Sequence, residues 1–270
     1  MQQVPVSRRE CQMPEKVKNM QEIRTTYING HEIPVLISDE KEALLAAKAA
    51  GGALIGLWRP GQEMDAISAA KYVVEDLNDV TEEYLERIVR RHLGLPWHIC
   101  ETVRLLIREL FAEDYDEVWE NQVGHGFGSV EELEAYTKHQ YSFYEFGVWA
   151  LVEKKTGDLV GVAGLKVPET PESANIEVYE LRSEQEKPVE SPANCVVQDF
   201  DQEALGQDSL ELGYHIFPNH RCKGYAREAC EAILRYGTEE LGVDHFVVHI
   251  DKENRISKHL AAELGFTAGK

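Results

Sequence analysis

No apolar run in this 270-residue sequence approaches the roughly 20 residues that a membrane-spanning helix needs. The opening stretch, Met1 to Glu10, carries charge but no apolar core, so it does not read as a secretory signal. A membrane role is not expected and a cytoplasmic location is. Cysteine is sparse and unpatterned: five residues stand at 11, 100, 195, 222 and 230, and no CxxC pair exists. That pattern suggests neither a disulfide framework nor a zinc site, but scattered reduced thiols. His125 and His139 match no ligand spacing, and no metal is expected. Basic charge is also short. Lys and Arg number 28 against 48 Asp and Glu, a net charge of −20, with −3 over residues 1–98 and −17 over residues 99–270. Such a field repels nucleic-acid phosphates and attracts cationic amines or basic protein tails. Solubility alone is the other reading of it.

With 43 % hydrophobic and 28 % charged residues, the composition is that of an ordinary globular protein, and the length is comfortable for two domains. Residues 1–25 show no clean period and read as a leader. From 26 to 98 strand and helix patterns alternate. Ile33 to Ser38 is a buried strand, and Asp39 is placed to cap a helix over Glu40–Ala50 that Gly51-Gly52 stop. Ala53–Trp58 is a second strand, Ala66–Ala70 a short helix and Tyr72–Val74 a third strand. Thr81 to Leu93 is an amphipathic helix with Leu85, Ile88, Val89 and His92 on its buried face. The alternation predicts parallel pairing with helical crossovers. Residues 95–101 read as a linker.

From 99 to 270 the order is strand Arg104–Leu110, helix Ala112–Asn121, a glycine-rich stretch Gly124–Gly128, and a helix opened by the capping box Ser129/Glu132. Strands Val148–Val152 and Leu159–Ala163 follow, joined by a hairpin turn. Residues 165–210 form an acidic insert with 3 basic and 11 acidic side chains, expected as a mobile flap or an added hairpin, with one strand at Asn175–Leu181. Then come strand 210–217, helix 226–241, strand 245–250 and helix 254–264.

The chemistry concentrates in Arg221-Cys222-Lys223-Gly224-Tyr225-Ala226, between a strand and a helix. A glycine there lets main-chain N–H groups approach a ligand, and the first-turn amides of a helix lack internal acceptors. The helix dipole and two cationic side chains add positive charge, so the segment reads as an anion nest suited to pyrophosphate. A plain turn is the other reading of one glycine before a helix.

This stretch matches the pyrophosphate loop of the GNAT superfamily of N-acetyltransferases: Arg or Gln, two free positions, Gly, one free position, Gly or Ala. Arg221, Gly224 and Ala226 occupy the constrained places. Leu210–Phe217, Asn254-x-x-Ser257 with Leu264-Gly265-Phe266, and the opening segment 104–120 resemble the branch that holds ribosomal-protein N-terminal acetyltransferases. The resemblance covers about Cys100 to Gly269. It implies an α/β fold with a mixed, centrally splayed sheet flanked by helices, and acetyl-CoA as co-substrate. The pyrophosphate would lie on residues 221–226, the pantetheine beside His215, Ile216 and Phe217, and the thiol end near Asn254 and Ser257. The implied reaction is direct attack of a primary amine on the thioester in a ternary complex. Glu211 is the first choice of base, against the alternative of a structural carboxylate, and His215 the second; main-chain N–H groups near Phe217 would steady an oxyanion. Many relatives place a tyrosine seven residues after the asparagine as acid for the thiolate. Here Ala261 stands there, leaving Ser257 as an alternative acid, or as a cap or a cofactor contact. The superfamily also adds a strand after Gly-Phe. This sequence stops four residues past Phe266, so that strand is very short, supplied by a neighbouring chain, or cut off.

Residues 26–98 resemble the C-terminal half of a haloacid-dehalogenase-type Rossmann domain, through Asp39, Ala46–Gly51, Leu54–Leu57 and Ala70–Leu77. That family's DxD nucleophile loop has no counterpart upstream, so this small parallel half-Rossmann domain is expected to dock, dimerise or regulate rather than catalyse. Expected partners are a cationic amine substrate and a second copy in a homodimer, with no nucleic acid. The competing reading is a catalytically weak, CoA-binding regulatory or scaffold protein.

Overall fold

Asn29 and Gly30 both adopt positive φ, 50° and 81°, the combination that a two-residue hairpin turn requires and that Asn-Gly supplies at little cost. The turn folds β1 (Gln21–Ile28) onto β2 (His31–Ser38) as an antiparallel ladder with Ile28 opposite His31. The computed structural model describes residues 19–121, 127–170, 173, 175–182 and 209–269. Residues 21–25 therefore belong to a strand and not to a leader. β1 is an edge strand of inverted polarity, which hid it. Ile23 and Tyr27 are 66 % and 67 % exposed, while Arg24 turns inward and donates to the Val80 carbonyl at 2.7 Å.

After β2 come α1 (Lys41–Ala49), β3 (Ala53–Leu57), a 3-10 turn at Met64–Ile67, β4 (Val73–Val74) and α2 (Glu82–His92). β2, β3 and β4 run parallel, as the strand–helix alternation requires, and β1 adds an antiparallel edge that a purely parallel sheet lacks. Thr81 caps α2, accepting from the Tyr84 amide at 3.1 Å. Asp39 does not cap α1. Its buried carboxylate accepts from the Met20 amide at 2.7 Å and pairs with Arg59 at 2.9 Å, so Glu40 takes the cap position without a side-chain bond. His92 is exposed, its ring turned back to the Gly51 carbonyl at 3.0 Å. Tyr84 joins Leu85, Ile88 and Val89 on the buried face instead.

The second sheet begins inside the expected linker. β5 (His98–Glu101) pairs with β6 (Leu105–Glu109). Next are α3 (Tyr115–Glu120), α4 (Val130–Tyr144), β7 (Val148–Glu153), β8 (Leu159–Lys166), β9 (Ile176–Arg182), β10 (Ser209–Ile216), α5 (Tyr225–Glu239), β11 (His245–Asp251), α6 (Arg255–Glu263) and β12 (Thr267–Ala268). The strand order is β12-β9-β11-β10-β8-β7-β6-β5. β10 and β11 are parallel and the other neighbours antiparallel. β8 runs through Lys166, and β9, within the expected insert, is a full member of the sheet between β11 and β12. Residues 171–172, 174 and 183–208 of that insert, and 124–126 of the glycine-rich stretch, lie outside the described residues. The last strand is the very short one, two residues paired with β9.

Each face of this sheet is covered. α5 lays Ala229 and Ile233 over Trp149, Leu165 and Phe246, each large apolar side chain stabilising by about 1.5–3 kcal/mol. Gly237 permits that approach: a Cβ there would meet the Phe246 ring at 2.8 Å. On the other face Val118 of α3 and Leu133 of α4 cover Ala150 and Val162.

A buried ion cluster joins the two sheets. Arg91 of α2, its side chain 7 % exposed, lies 2.7 Å from Glu109 of β6 and 2.9 Å from Glu145 at the end of α4. The Trp97 amide also donates to Glu109 at 3.2 Å. Burial raises the Glu109 carboxyl above its ordinary range, even against the pull of Arg91.

Candidate active site

β10 and β11 pair for three residues only. Ser209, Leu210 and Glu211 face His245, Phe246 and Val247. Beyond that point β10 stays with β8 as far as Ile216, and β11 stays with β9 as far as Asp251. The strands part, and a wedge opens with Glu211 at its vertex. Phe217 donates its N–H to the Val160 carbonyl at 3.0 Å. In an antiparallel ladder hydrogen-bonded and free residues alternate, so the main-chain groups of Tyr214 and Ile216 face the wedge. The Phe217 amide itself is therefore spent on β8, and of the main-chain groups near it those of Ile216 and Tyr214 hold the wedge-facing positions. The Ile216 carbonyl is taken by Arg221, whose Nε donates at 2.9 Å.

The loop from 221 to 226 lies directly after β10 and a 3-10 turn at Pro218–His220. The Arg221 amide reaches back to Pro218 at 3.4 Å, and the first bond along α5 is Glu228 N–H to Gly224 O at 3.2 Å. Between them the amides of Cys222, Lys223, Gly224, Tyr225 and Ala226 donate to no acceptor among the described residues. Cys222 and Gly224 are both left-handed, with φ of 59° and 81°, the kind of backbone that curls successive N–H groups around an anion. Arg221, Cys222, Lys223 and Gly224 are exposed. The residues thus fit a diphosphate: five open amides, a helix N-terminus and two cationic side chains.

A side chain that sequence reasoning missed holds this loop. Arg104, at the entry to β6, donates to the Lys223 carbonyl at 2.7 Å, pairs with Glu228 at 2.6 Å, and lies 4.6 Å over the Tyr225 ring. Burial opposes ionisation of Glu228, but hydrogen bonds from Thr102 and Arg104 outweigh it and hold the carboxyl below its ordinary range. The Tyr225 hydroxyl bonds Glu153. Arg104 and Glu228 are 124 residues apart in sequence, and no local pattern announces their pairing.

On the face of β10 opposite α5, Glu211 is 7 % exposed. Its Oε2 lies 3.1 Å from His249 Nδ1 of β11 and 3.2 Å from Lys166 Nζ of β8. His249 was not singled out from the sequence; its signal, two residues beyond the partner of Glu211 on a parallel strand, requires the register. Gly213 shares this face with open space where a Cβ would stand. His215 follows on the same face, roughly 13 Å along the strand from Glu211, so the two side chains do not serve one reacting atom. Burial, then the charge of Arg221, lowers the His215 pKa against an opposing hydrogen bond with the Asn121 backbone, and its Nε2 has no hydrogen-bond partner among the described residues.

On the core side Tyr214 and Ser257 meet, hydroxyl to hydroxyl, at 3.0 Å. Burial raises the Tyr214 pKa, so the phenol stays protonated. Asn254 is the N-cap of α6, its Oδ1 accepting from the Ser257 amide at 3.0 Å. That bond occupies the Asn254 side-chain oxygen, while the Ser257 hydroxyl remains on the β10 side.

Comparison with known proteins identifies the family. The family model described as Acetyltransferase (GNAT) domain matches residues 104–267. The uncharacterized N-acetyltransferase YnaD of Bacillus subtilis (strain 168) is 34 % identical over 61 residues, 23 % of this chain and 36 % of that protein, so the match spans about a third of this curated relative. Among solved structures, a GNAT-family acetyltransferase from Bacillus anthracis is 19 % identical, covering 61 % of this chain and 81 % of the other, with a TM-score of 0.41. A ribosomal-protein-S5-alanine acetyltransferase from Vibrio fischeri is 11 % identical, covering 64 % and 83 %, with a TM-score of 0.43. With a strand pair that parts at Glu211, an open amide loop at 222–226 and a family match over most of the second sheet, the chain belongs to the GNAT acetyltransferase family.

Proposed function

We propose that this chain transfers an acetyl group from acetyl-CoA to a primary amine carried by a cationic small molecule or a protein N-terminus. The observation that carries the reading is the run of five amides at 222–226, beside the β10–β11 wedge, that donate to no acceptor among the described residues. Acetyl-CoA supplies an activated thioester carbonyl at which an amine nitrogen is acylated. Arg221, Lys223 and the amides through Ala226 hold the diphosphate, and the wedge-facing main chain of Tyr214 and Ile216 pairs with the pantetheine arm.

An alkyl amine has a pKa near 10 and must lose a proton before it attacks. Glu211 and His249 form the base: the carboxylate, 3.1 Å from the imidazole Nδ1, stabilises the imidazolium that forms when His249 takes the amine's proton. His215 is too far along β10 to share this task and lines the outer part of the acceptor path. The Tyr214–Ser257 hydroxyl pair fills the place of the family tyrosine absent at Ala261. Tyr214, kept protonated by burial, gives a proton to the departing sulfur, with Ser257 holding its hydroxyl. The acceptor's positive charge follows from the acidity of residues 99–270. The first sheet, whose Asp39 carboxylate is wholly engaged with Met20 and Arg59, has a docking or regulatory part rather than a phosphatase one, in keeping with its haloacid-dehalogenase-like sequence.

Calorimetric titration with coenzyme A and with pantetheine, which lacks the diphosphate, tests the loop; thiol release across a panel of amines tests the transfer. Coenzyme A should bind at least 30-fold tighter than pantetheine, about 2 kcal/mol, and at least one cationic amine should release thiol. Equal affinities would remove the diphosphate from the loop. Tight coenzyme A binding with no turnover of any amine would leave a CoA-binding regulatory protein.

A further inference from the structure

A cleft of about 540 Å³ lies between the two sheets, lined by the first sheet on one side and by β6 and α4 on the other. That is the size of a small-molecule site. Leu54, Ile88 and Leu95 form one wall, and Phe111 and Tyr141 belong to the other. Three lysines also line it: Lys48 at the end of α1, Lys71 before β4, and Lys138 in mid-α4. Lys71 reaches across the cleft, Nζ 3.5 Å from the Lys138 carbonyl. None of the three is in an ion pair with a described carboxylate, in a chain where acids outnumber bases 48 to 28. Of the two acids in the lining, Glu109 is committed to Arg91, which leaves Glu134.

The negative end of the α1 dipole accounts for Lys48 in its last turn. It does not account for Lys71, which lies outside any helix, or for Lys138, six residues before the end of α4. Like charges gathered without counter-charge repel one another. All three lysines are exposed at the rim of the cleft; partial burial, followed by the charges of Lys138 and Lys48, lowers the Lys71 pKa, a direction that an added anion reverses. The cleft is separate from the acetyl-transfer site, since β6 stands three strands from β10 in the sheet, roughly 14 Å.

We infer that this cleft is an effector site for a small organic anion, with an apolar body against Leu54, Ile88 and Phe111 and a phosphate or carboxylate head between Lys71 and Lys138. Such a ligand touches both sheets and would fix α4 against the first sheet. The inference stands whether or not the acetyl-transfer reading does.

The test uses the full chain and 1-anilinonaphthalene-8-sulfonate, an apolar anion that brightens in an apolar site, titrated with and without saturating coenzyme A. The dye should bind at one site in both conditions. The double variant Lys71→Met/Lys138→Met should bind it at least tenfold more weakly, and Lys71→Arg should bind as the parent does. Coenzyme A affinity, measured on the same proteins, should stay within twofold, which separates this result from any failure at the 221–226 loop. Phenyl phosphate and phenylacetate compete as the two head-group arms, and the better competitor identifies the head. Absence of dye binding, equal binding by the double variant, displacement by coenzyme A, or displacement by benzylamine as readily as by either anion would overturn the inference.

Discussion

Glu211 stands at the last rung before β10 and β11 part and His249 two residues beyond it on β11, with a carboxylate oxygen 3.1 Å from Nδ1. Groups that act as a unit lose their effect together. Glu211→Gln and His249→Gln are each expected to lower kcat by on the order of 100-fold, with coenzyme A affinity unchanged. The double variant should be no slower than the slower single one. Steady-state kinetics on one amine checks this, and multiplicative losses would show two independent roles. At this scale the sequence was informative where chemistry is local. The Arg221-to-Ala226 segment was legible because the glycine, the two cations and the helix start are contiguous. His249 and Arg104 were not legible, because each acts through a partner brought to it by strand register or by a contact across 124 residues.

Elements follow the same logic. The strands and helices of the second sheet were readable from apolar periodicity, from Val148–Glu153 to Arg255–Glu263. β1 was not, because as an edge strand it exposes Ile23 and Tyr27 and turns Arg24 inward; the Asn29-Gly30 turn was the available signal. β5 hid in an apparent linker because it is four residues long with its ends exposed. On β10, Gly213 lies between Glu211 and His215 with no atom within 4 Å of a Cβ position. A valine there suits an extended strand and would project into the open space proposed as the acceptor path. Gly213→Val should therefore leave the melting temperature and coenzyme A affinity nearly unchanged while raising KM for the amine several-fold. An unchanged KM would place the acceptor elsewhere.

At the scale of the whole molecule, the Arg91–Glu109–Glu145 cluster joins the two sheets. Its members come from α2, β6 and the end of α4, so composition offered no hint of it. Removing one member of a buried ion pair strands the other and costs about 3–5 kcal/mol. Arg91→Leu should lower the melting temperature accordingly at pH 7. The stranded Glu109 then has a folded-state pKa raised further above its unfolded value. A carboxyl so raised binds more protons folded than unfolded, so stability recovers as pH falls. The gap between parent and variant should narrow from pH 7 to pH 5; a constant or widening gap would mean that Glu109 is not the stranded charge. Hydrogen exchange followed along the entire chain, with and without saturating coenzyme A, bears most directly on the central claim. Exchange should slow at Cys222 through Ala226 and at Tyr214 and Ile216, and remain unchanged across β1 to β4. Saturation without protection at Cys222 through Ala226 would contradict the account.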